Sequence, residues 1–167
     1  RKSAISGFCS TPVSVGGEVV SSTRLRKSLA RGDVSTARKL MGRAFAFSGV
    51  VRPGSGSARR IGSPTANLDA SRLVLRDGVY AATASWPGSR VRRAAVFVGS
   101  SRFGTGRRSV EVHFIGGGPP IPRLRGRPLT VLFVKWIRPS LEFKTVDALR
   151  RAIRSDITAA LRATARY

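Results

Sequence analysis

One short stretch of the chain reads Gly62-Ser63-Pro64-Thr65-Ala66-Asn67-Leu68. It follows residues 52–63, whose Gly, Ser and Arg content predicts a loop. By residue type alone, Pro64 to Asn67 predicts a turn in which the Thr and Asn side chains satisfy nearby backbone groups. The architecture is then indicated by the predicted strands and helices that lie on either side of this turn.

From Ala44 onward, short apolar runs alternate with turn residues, which is typical of strands. Pro87-Gly88-Ser89 predicts a tight hairpin, while residues 52–63 and 116–120 predict loops at the mouth of the fold. Several short strands followed by one long helix favour a closed or nearly closed antiparallel β-barrel. The predicted strands are Phe45–Val51, Gly78–Trp86, Val91–Val98, Ser109–Ile115 and Leu129–Ile137.

Helices are predicted at both ends of this region. Residues 21–42 predict a helical hairpin, in which Ser21-Ser22-Thr23 and Asp33 supply the N-caps and Gly32 and Gly42 end the two helices. Residues 1–20 predict a surface tail. Thr145 caps the last helix, and its outer face carries Arg150, Arg151, Arg154 and Arg162. Its apolar stripe consists of Val146, Leu149, Ile153, Ile157 and Leu161.

The charge balance indicates a polyanionic partner. The 167 residues include 31 Lys+Arg against 8 Asp+Glu, a net charge of +23, while 41% hydrophobic residues suffice for a core. The apolar runs are too short to span a bilayer, which needs roughly 18 residues. Cys9 is the single cysteine and predicts an inert thiol in a reducing compartment. Nucleic acid or ribonucleoprotein contact follows as the expectation.

The basic residues form clusters on predicted loops, strands and helices alike. Such dispersal predicts contact with RNA phosphates on several sides, without a DNA-specific motif or paired stacking aromatics. The triplet at 123–127 is the preferred patch, with a solvated loop as the alternative. The predicted RNA-binding residues are Arg59, Arg60, Arg90, Arg92, Arg93, Arg107, Arg108, Arg123, Arg125, Arg127, Arg150, Arg151 and Arg154.

The stretch 62–68 resembles the Gly-x-Pro-Thr-Ala-Asn signature of riboflavin kinases. The segments on either side resemble further riboflavin kinase motifs and occur in the same order as in that family. Ser21 to Arg26 resembles the end of the adenylyltransferase module of bifunctional bacterial FAD synthetases. The resemblance implies a mainly β fold: a Greek-key-type antiparallel β-barrel over residues 43–167, with an N-terminal helical hairpin at 21–42 and a C-terminal helix. The matching flanks are Leu40 to Arg43, Phe47 to Val51, Gly78 to Ala81, Val98-Gly99, Glu111-Val112-His113 and Ile137-Arg138 with Phe143.

The resemblance also implies a site for ATP, Mg²⁺ and riboflavin or FMN. Thr65 and Asn67 would hold Mg²⁺ and phosphate, and Glu111 would deprotonate the riboflavin hydroxyl. The loop from Gly54 to Ile61 would cover the nucleotide, and for its Arg59 and Arg60 attraction to the phosphates of ATP is the alternative to RNA contact. By residue type, Glu111 is better explained as a charge partner of a nearby arginine. His113 is read as an ordinary strand histidine, because it has no partner ligand at metal spacing.

Two departures from the family pattern oppose kinase activity. Phe114 to Pro120 replaces an acidic, aromatic Leu-Asp-Phe run, and Ser100 to Gly104 shortens an Asn-Pro-Thr-Phe-Gly segment. A His-x-Gly-His adenylyltransferase motif is absent from the sequence. Trp86 and Trp136 are predicted to pack in the barrel.

The net charge of +23 and the two departures from the family pattern together favour an inactive scaffold over an enzyme. The leading expectation is a structural component of a mitochondrial ribosome in the matrix, bound to ribosomal RNA and neighbouring ribosomal proteins, without a cofactor, metal or membrane span. A cytoplasmic location is the alternative. The rival function is an active riboflavin kinase that makes FMN from riboflavin and ATP, and a transient assembly factor remains a third possibility.

Overall fold

The computed structural model describes residues 14–15, 18–19, 21–54, 56–100, 107–117 and 121–166. Cys9 and most of the predicted tail lie outside these residues. The strands are β1 (Ser14–Val15), β2 (Glu18–Val19), β3 (Phe45–Val50), β4 (Ala66–Asp69), β5 (Gly78–Ser85), β6 (Arg92–Ser100), β7 (Arg108–Phe114) and β8 (Pro128–Arg138). The helices are α1 (Ser22–Ala30), α2 (Val34–Met41), α3 (Ser57–Arg60), α4 (Ile121–Leu124) and α5 (Val146–Ala163).

Six strands form one antiparallel sheet in the order β3-β8-β5-β6-β7-β4. The two edge strands approach each other at an isolated bridge between Arg52 and Asn67, where the Arg52 N–H donates to the Asn67 carbonyl at 2.8 Å. Since this contact joins the two edges, the sheet forms a nearly closed barrel. The predicted antiparallel barrel with helices at both ends is therefore confirmed.

The sheet separates two apolar regions according to the alternation of side chains along each strand. Val96, Val110 and Phe133 represent the inner face, which forms the main core. On the opposite face, Ala81 of β5 and Ala95 of β6 pack with α5. The small side chains on that face let the helix lie close to the sheet.

The N-terminal hairpin packs directly on the barrel. Leu29 and Val34 belong to the same apolar cluster as the barrel interior. Gly32 lies so close to the Trp136 ring that an added Cβ would be 3.0 Å from its Cδ1 atom. The predicted caps are present: the Ser21 hydroxyl accepts from the Arg24 N–H at 3.2 Å, and Asp33 Oδ1 accepts from the Thr36 N–H at 2.9 Å.

The last helix begins at its predicted Thr145 cap, whose hydroxyl accepts from the Ala148 N–H at 3.1 Å. Within its five-residue apolar stripe, Val146 is 52% exposed and the other four residues are partly buried, of which Ile157 packs with Ala81 and Ala95 of the sheet. Asp156 and Ala160 are the buried residues of α5. The reason is that the first turns of α5 line a cavity and only the later turns pack on the sheet.

The five predicted strands are confirmed, with ends that differ by about two residues at most. The turn predicted over Pro64 to Asn67 is partly wrong, because Ala66–Asp69 forms β4 and pairs with β7. Pairing with a neighbouring strand supplies backbone partners that local sequence does not reveal. Short helices α3 and α4 also occupy stretches predicted as loops or left unassigned. Among the described residues, helices long and apolar enough to cross a membrane are absent.

Candidate functional site

A cavity of about 790 Å³ lies between the outer face of the sheet and the first turns of α5. The sheet contributes Asn67, Phe97, Glu111 and His113 to its lining, and α5 contributes residues that include Leu149. The segment from Arg52 to Thr65 covers part of the opening. The cavity volume falls within the range of about 300–1,000 Å³ that is typical of small-molecule sites.

Thr65, Asn67 and Glu111 converge on this cavity, as the resemblance implied. Asn67 on β4 stands opposite Glu111 on β7 in the antiparallel register. Thr65 directly precedes β4, and the Asn67 side-chain amide donates to its carbonyl at 3.3 Å. One pair of neighbouring strands thus brings together residues that are far apart in the sequence.

Gly54 fixes the space around the Asn67 side chain. A Cβ atom at this position would lie 2.8 Å from Asn67 Cγ, closer than real Cβ contacts allow. The backbone of the covering loop can therefore approach the amide only because residue 54 has no side chain. This contact restricts the directions in which the amide oxygen can point.

The polar residues of this site suit a magnesium ion that arrives with phosphate groups. The Thr65 hydroxyl and the Asn67 amide would supply neutral oxygen ligands of the hard type that Mg²⁺ prefers. Mg²⁺ commonly takes few protein ligands and completes its octahedron with phosphate oxygens and water. Among the described residues, no group of three or more His, Cys, Asp or Glu side chains lies close enough together to hold a metal ion.

Four arginines line the mouth of the same cavity: Arg52, Arg59, Arg60 and Arg125. All four are exposed, so their guanidinium groups are accessible to a ligand from solvent. Arg59 and Arg60 lie on α3, and Arg125 follows α4. This end of the cavity is therefore positively charged, as phosphate groups require.

The other predicted RNA-binding arginines lie away from the cavity lining and, with one exception, are exposed. They occur on separate elements rather than in one patch. Arg90, Arg92 and Arg93 lie around the β5–β6 hairpin, Arg107 precedes β7, Arg123 and Arg127 flank Arg125, and Arg150, Arg151 and Arg154 lie on α5.

Arg108 is the exception, because its guanidinium makes contacts within the protein. Its Nε donates to Asp77 Oδ1 at 2.9 Å, and its Nη1 donates to the Ala70 carbonyl at 3.3 Å. Further hydrogen bonds reach the carbonyls of Leu73 and Leu75. This arrangement favours a structural role for Arg108 over RNA contact, since its donors already hold the segment 70–77 against β7.

The other end of the cavity is apolar and has a buried ion pair in its wall. Phe97, Phe143 and Ile153 contribute apolar surface. Arg138 at the end of β8 binds Asp156 of α5 through two hydrogen bonds, Nε to Oδ1 at 2.8 Å and Nη2 to Oδ2 at 2.7 Å. Sequence reasoning missed Asp156 and the α5 contribution, since the helical period indicated only an apolar stripe.

His113 also lines the cavity, two residues beyond Glu111 on the same face of β7. Its Nδ1 lies 3.1 Å from the carbonyl oxygen of Pro64. The interpretation of His113 as a satisfied strand histidine agrees with this bond. Trp86 and Trp136 both pack against the main core, as predicted.

Comparisons with known proteins agree with this geometry. The sequence model of the family described as "Flavokinase: Riboflavin kinase" matches residues 41–164. A bifunctional riboflavin kinase/FMN adenylyltransferase from Pseudomonas fluorescens is 36% identical over 89% of this chain and 47% of that protein. The protein of the same description from Escherichia coli K12 is 35% identical over 86% of this chain and 46% of that protein.

A solved structure shows a similar fold. A chain described as a macrolide-efflux protein from Streptococcus pneumoniae superposes with a TM-score of 0.77 and 29% identity, over 89% of this chain and 49% of that chain. The present chain spans about half the length of the relatives that it matches. On its sequence, its barrel and the match across most of its residues, the chain belongs to the riboflavin kinase family.

Proposed function

We propose that this domain transfers the γ-phosphoryl group of ATP to riboflavin and produces FMN. The observation that carries the proposal is the convergence of Thr65, Asn67 and Glu111 on one cavity with a cationic end and an apolar end. The triphosphate of a nucleotide requires the cationic end, and a flat aromatic ring system requires the apolar end.

In this function Glu111 acts as the general base. The hydroxyl oxygen of riboflavin forms a bond to the γ-phosphorus, the bond from that phosphorus to the bridging oxygen breaks, and ADP leaves. The hydroxyl proton passes to the Glu111 carboxylate. Thr65 and Asn67 would hold the magnesium ion, which neutralises negative charge on the phosphates when it is bound.

The arginines at the mouth support this function. Arg59 and Arg60 lie on the short helix that covers the cavity, and Arg125 lines the same opening. The sequence predicted that these residues contact RNA, with the phosphates of ATP as the alternative for Arg59 and Arg60. Because these arginines line the same cavity as Thr65 and Asn67, a small phosphate-bearing ligand such as ATP suits them better than RNA, and we rank the kinase first for this reason.

A direct assay tests the proposal. The purified domain should convert riboflavin to FMN in the presence of Mg²⁺ and ATP, with the product measured by chromatography. Glu111→Gln should reduce the rate by about a hundredfold or more, the usual contribution of a positioned base. Asp69→Asn is the matched control, because Asp69 is an exposed carboxylate on β4 that does not line the cavity. Absence of FMN with the wild-type domain, or an unchanged rate in Glu111→Gln, would contradict the proposal.

A second function, contact with RNA, is favoured by the exposed arginines that lie away from the cavity. Arg90, Arg92 and Arg93 at the β5–β6 hairpin are all exposed and do not line the cavity. The proposed partners are ribosomal RNA and neighbouring ribosomal proteins, with a mitochondrial ribosome as the proposed assembly and a cytoplasmic one as the alternative. This role is compatible with kinase activity because it uses a different surface.

Salt dependence separates this role from incidental charge. The affinity for structured RNA should fall steeply with salt, since each phosphate contact contributes roughly 0.7 to 0.9 to the log-log slope. Substitution of Arg90, Arg92 and Arg93 by Gln should lower that slope by about 2, while FMN formation stays unchanged. A shallow slope in the wild-type protein, or its failure to co-sediment with ribosomal particles, would contradict the RNA role.

A further inference from the structure

The residues that precede β4 form a small unit of their own. The Gly62 N–H donates to the Arg59 carbonyl at 3.1 Å, and the Ser63 N–H donates to the Ala58 carbonyl at 2.9 Å. These bonds close α3 and its following turn on themselves. The first rung between β4 and β7 is Ala66 opposite Val112, so Pro64 and Thr65 lie just outside the ladder.

His113 holds this unit to the barrel at that point. Its Nδ1 contacts the Pro64 carbonyl at 3.1 Å, across from the end of β4. A carbonyl oxygen can only accept, so in this contact Nδ1 must carry the hydrogen and donate it. Proline has no backbone N–H, and a backbone donor that could continue the ladder at residue 64 is therefore missing. The His113 side chain instead contacts the carbonyl that Pro64 retains, and so holds residue 64 to β7 beyond the end of the ladder.

The contact places one ring beside two different parts of the site. His113 and Glu111 lie on the same face of β7, and Glu111 stands opposite Asn67. The Pro64 carbonyl belongs to the residue directly before Thr65. A shift of Pro64 would thus move the Thr65 hydroxyl relative to Asn67, whose own backbone is fixed by the ladder and by the bridge to Arg52.

We propose that His113 is a positioning residue for the nucleotide end of the cavity. It acts by holding Pro64, which fixes Thr65 and the helix that carries Arg59 and Arg60. It does not exchange a proton with substrate in this role. The expected effect on catalysis rests on the proposed kinase function. The contact between His113 and the Pro64 carbonyl does not depend on that function.

The test compares two variants of His113. His113→Phe keeps a planar ring but removes the donor, whereas His113→Asn places an amide nitrogen in the position of Nδ1. The KM for ATP should rise about tenfold in the Phe variant, the loss expected for one hydrogen bond, and the KM for riboflavin should change less than about twofold. The Asn variant should recover most of the affinity for ATP, which a purely space-filling role would not explain.

A second measurement uses the ligand-free protein. Amide hydrogen exchange in residues 58–63 should be faster in His113→Phe than in the wild-type protein and close to wild-type in His113→Asn, with exchange in β6 as the internal control. Equal exchange in all three proteins would overturn the proposal, as would an Asn variant as impaired as the Phe variant. If the wild-type domain makes no FMN, the kinase proposal fails, and the exchange data alone decide whether His113 holds the loop.

Discussion

Asn67 and Glu111 occupy opposite positions on one rung of the antiparallel pair formed by β4 and β7. Cβ atoms of directly opposed residues lie roughly 5 Å apart. The proposed metal-binding amide and the proposed base are thus placed relative to each other by strand pairing rather than by a loop. Such placement on strands holds two groups at a more constant separation than loops allow.

The Thr65 hydroxyl provides the first prediction. Thr65→Val removes the hydroxyl while preserving the shape of the side chain, and it should lower the affinity for Mg-ADP by about tenfold or more, as measured by calorimetry. Thr65→Ser keeps the oxygen and is the matched control, with affinity near that of the wild-type protein. Equal binding by the Val variant would show that Thr65 does not contribute a ligand.

Gly54 provides the second prediction. Gly54→Ala should impair FMN formation because the added Cβ would lie 2.8 Å from Asn67 Cγ and displace the amide. Gly49→Ala is the control, since its Cβ would meet Leu68 Cβ at an ordinary 3.6 Å. Steady-state kinetics and melting temperatures of both variants check this. A Gly54→Ala enzyme with wild-type kinetics would show that the Asn67 side chain can move without consequence.

The Arg138–Asp156 pair provides the third prediction. The side chains are 21% and 8% exposed and share two hydrogen bonds. Asp156→Ala should lower the free energy of unfolding by about 3 kcal/mol, because it leaves a largely buried guanidinium unpaired. The exposed pair of Arg150 and Asp147, at 3.3 Å, serves as control, and Arg150→Gln should cost less than about 0.5 kcal/mol. Urea denaturation measures both, and similar small losses would show that water replaces Asp156.

Tyr80 provides a prediction about pH. Burial raises the pKa of the Tyr80 phenol above its ordinary value, and its hydroxyl donates to the Arg76 carbonyl at 2.6 Å. Since the folded pKa is raised, the stability from the protonated phenol is complete below pH ~10 and is lost as the pH rises above that value. Tyr80→Phe should be less stable by about 1 kcal/mol at pH 8. The difference from wild-type should shrink between pH 10 and pH 11 in denaturation experiments, and a constant difference would contradict the prediction.

The barrel could be predicted from the sequence because its strands alternate regularly and are separated by Gly and Pro turns. The strand β4 was missed although it carries the same signal in short form. Ala66 and Leu68 are buried while Asn67 and Asp69 are not, but four residues after a Pro-containing loop do not distinguish a strand from a turn. Pairing with β7 decides the outcome, and local sequence contains no information about that partner.

The site could be predicted only where the resemblance named its residues. Thr65, Asn67 and Glu111 were identified in this way, whereas the wall formed by Arg138 and Asp156 depends on how α5 packs against β8. Arg108 illustrates a further limit. A count of charges cannot distinguish an arginine that faces solvent from one whose donors are used by the carbonyls of a neighbouring segment.

Because β4 is pleated, its alternate residues serve two different purposes: one set packs the core and the other faces outward. Ala66 and Leu68 are 0% and 1% exposed, so any descendant that keeps the barrel must keep them, whether or not it phosphorylates anything. Asn67 faces the cavity, and a descendant that no longer uses ATP is free to lose it. A homologue that keeps only the architecture should therefore first show substitutions at the outward-facing positions of this strand, while its buried positions stay apolar. In this chain the buried positions hold Ala66 and Leu68, and the cavity-facing position still holds Asn67.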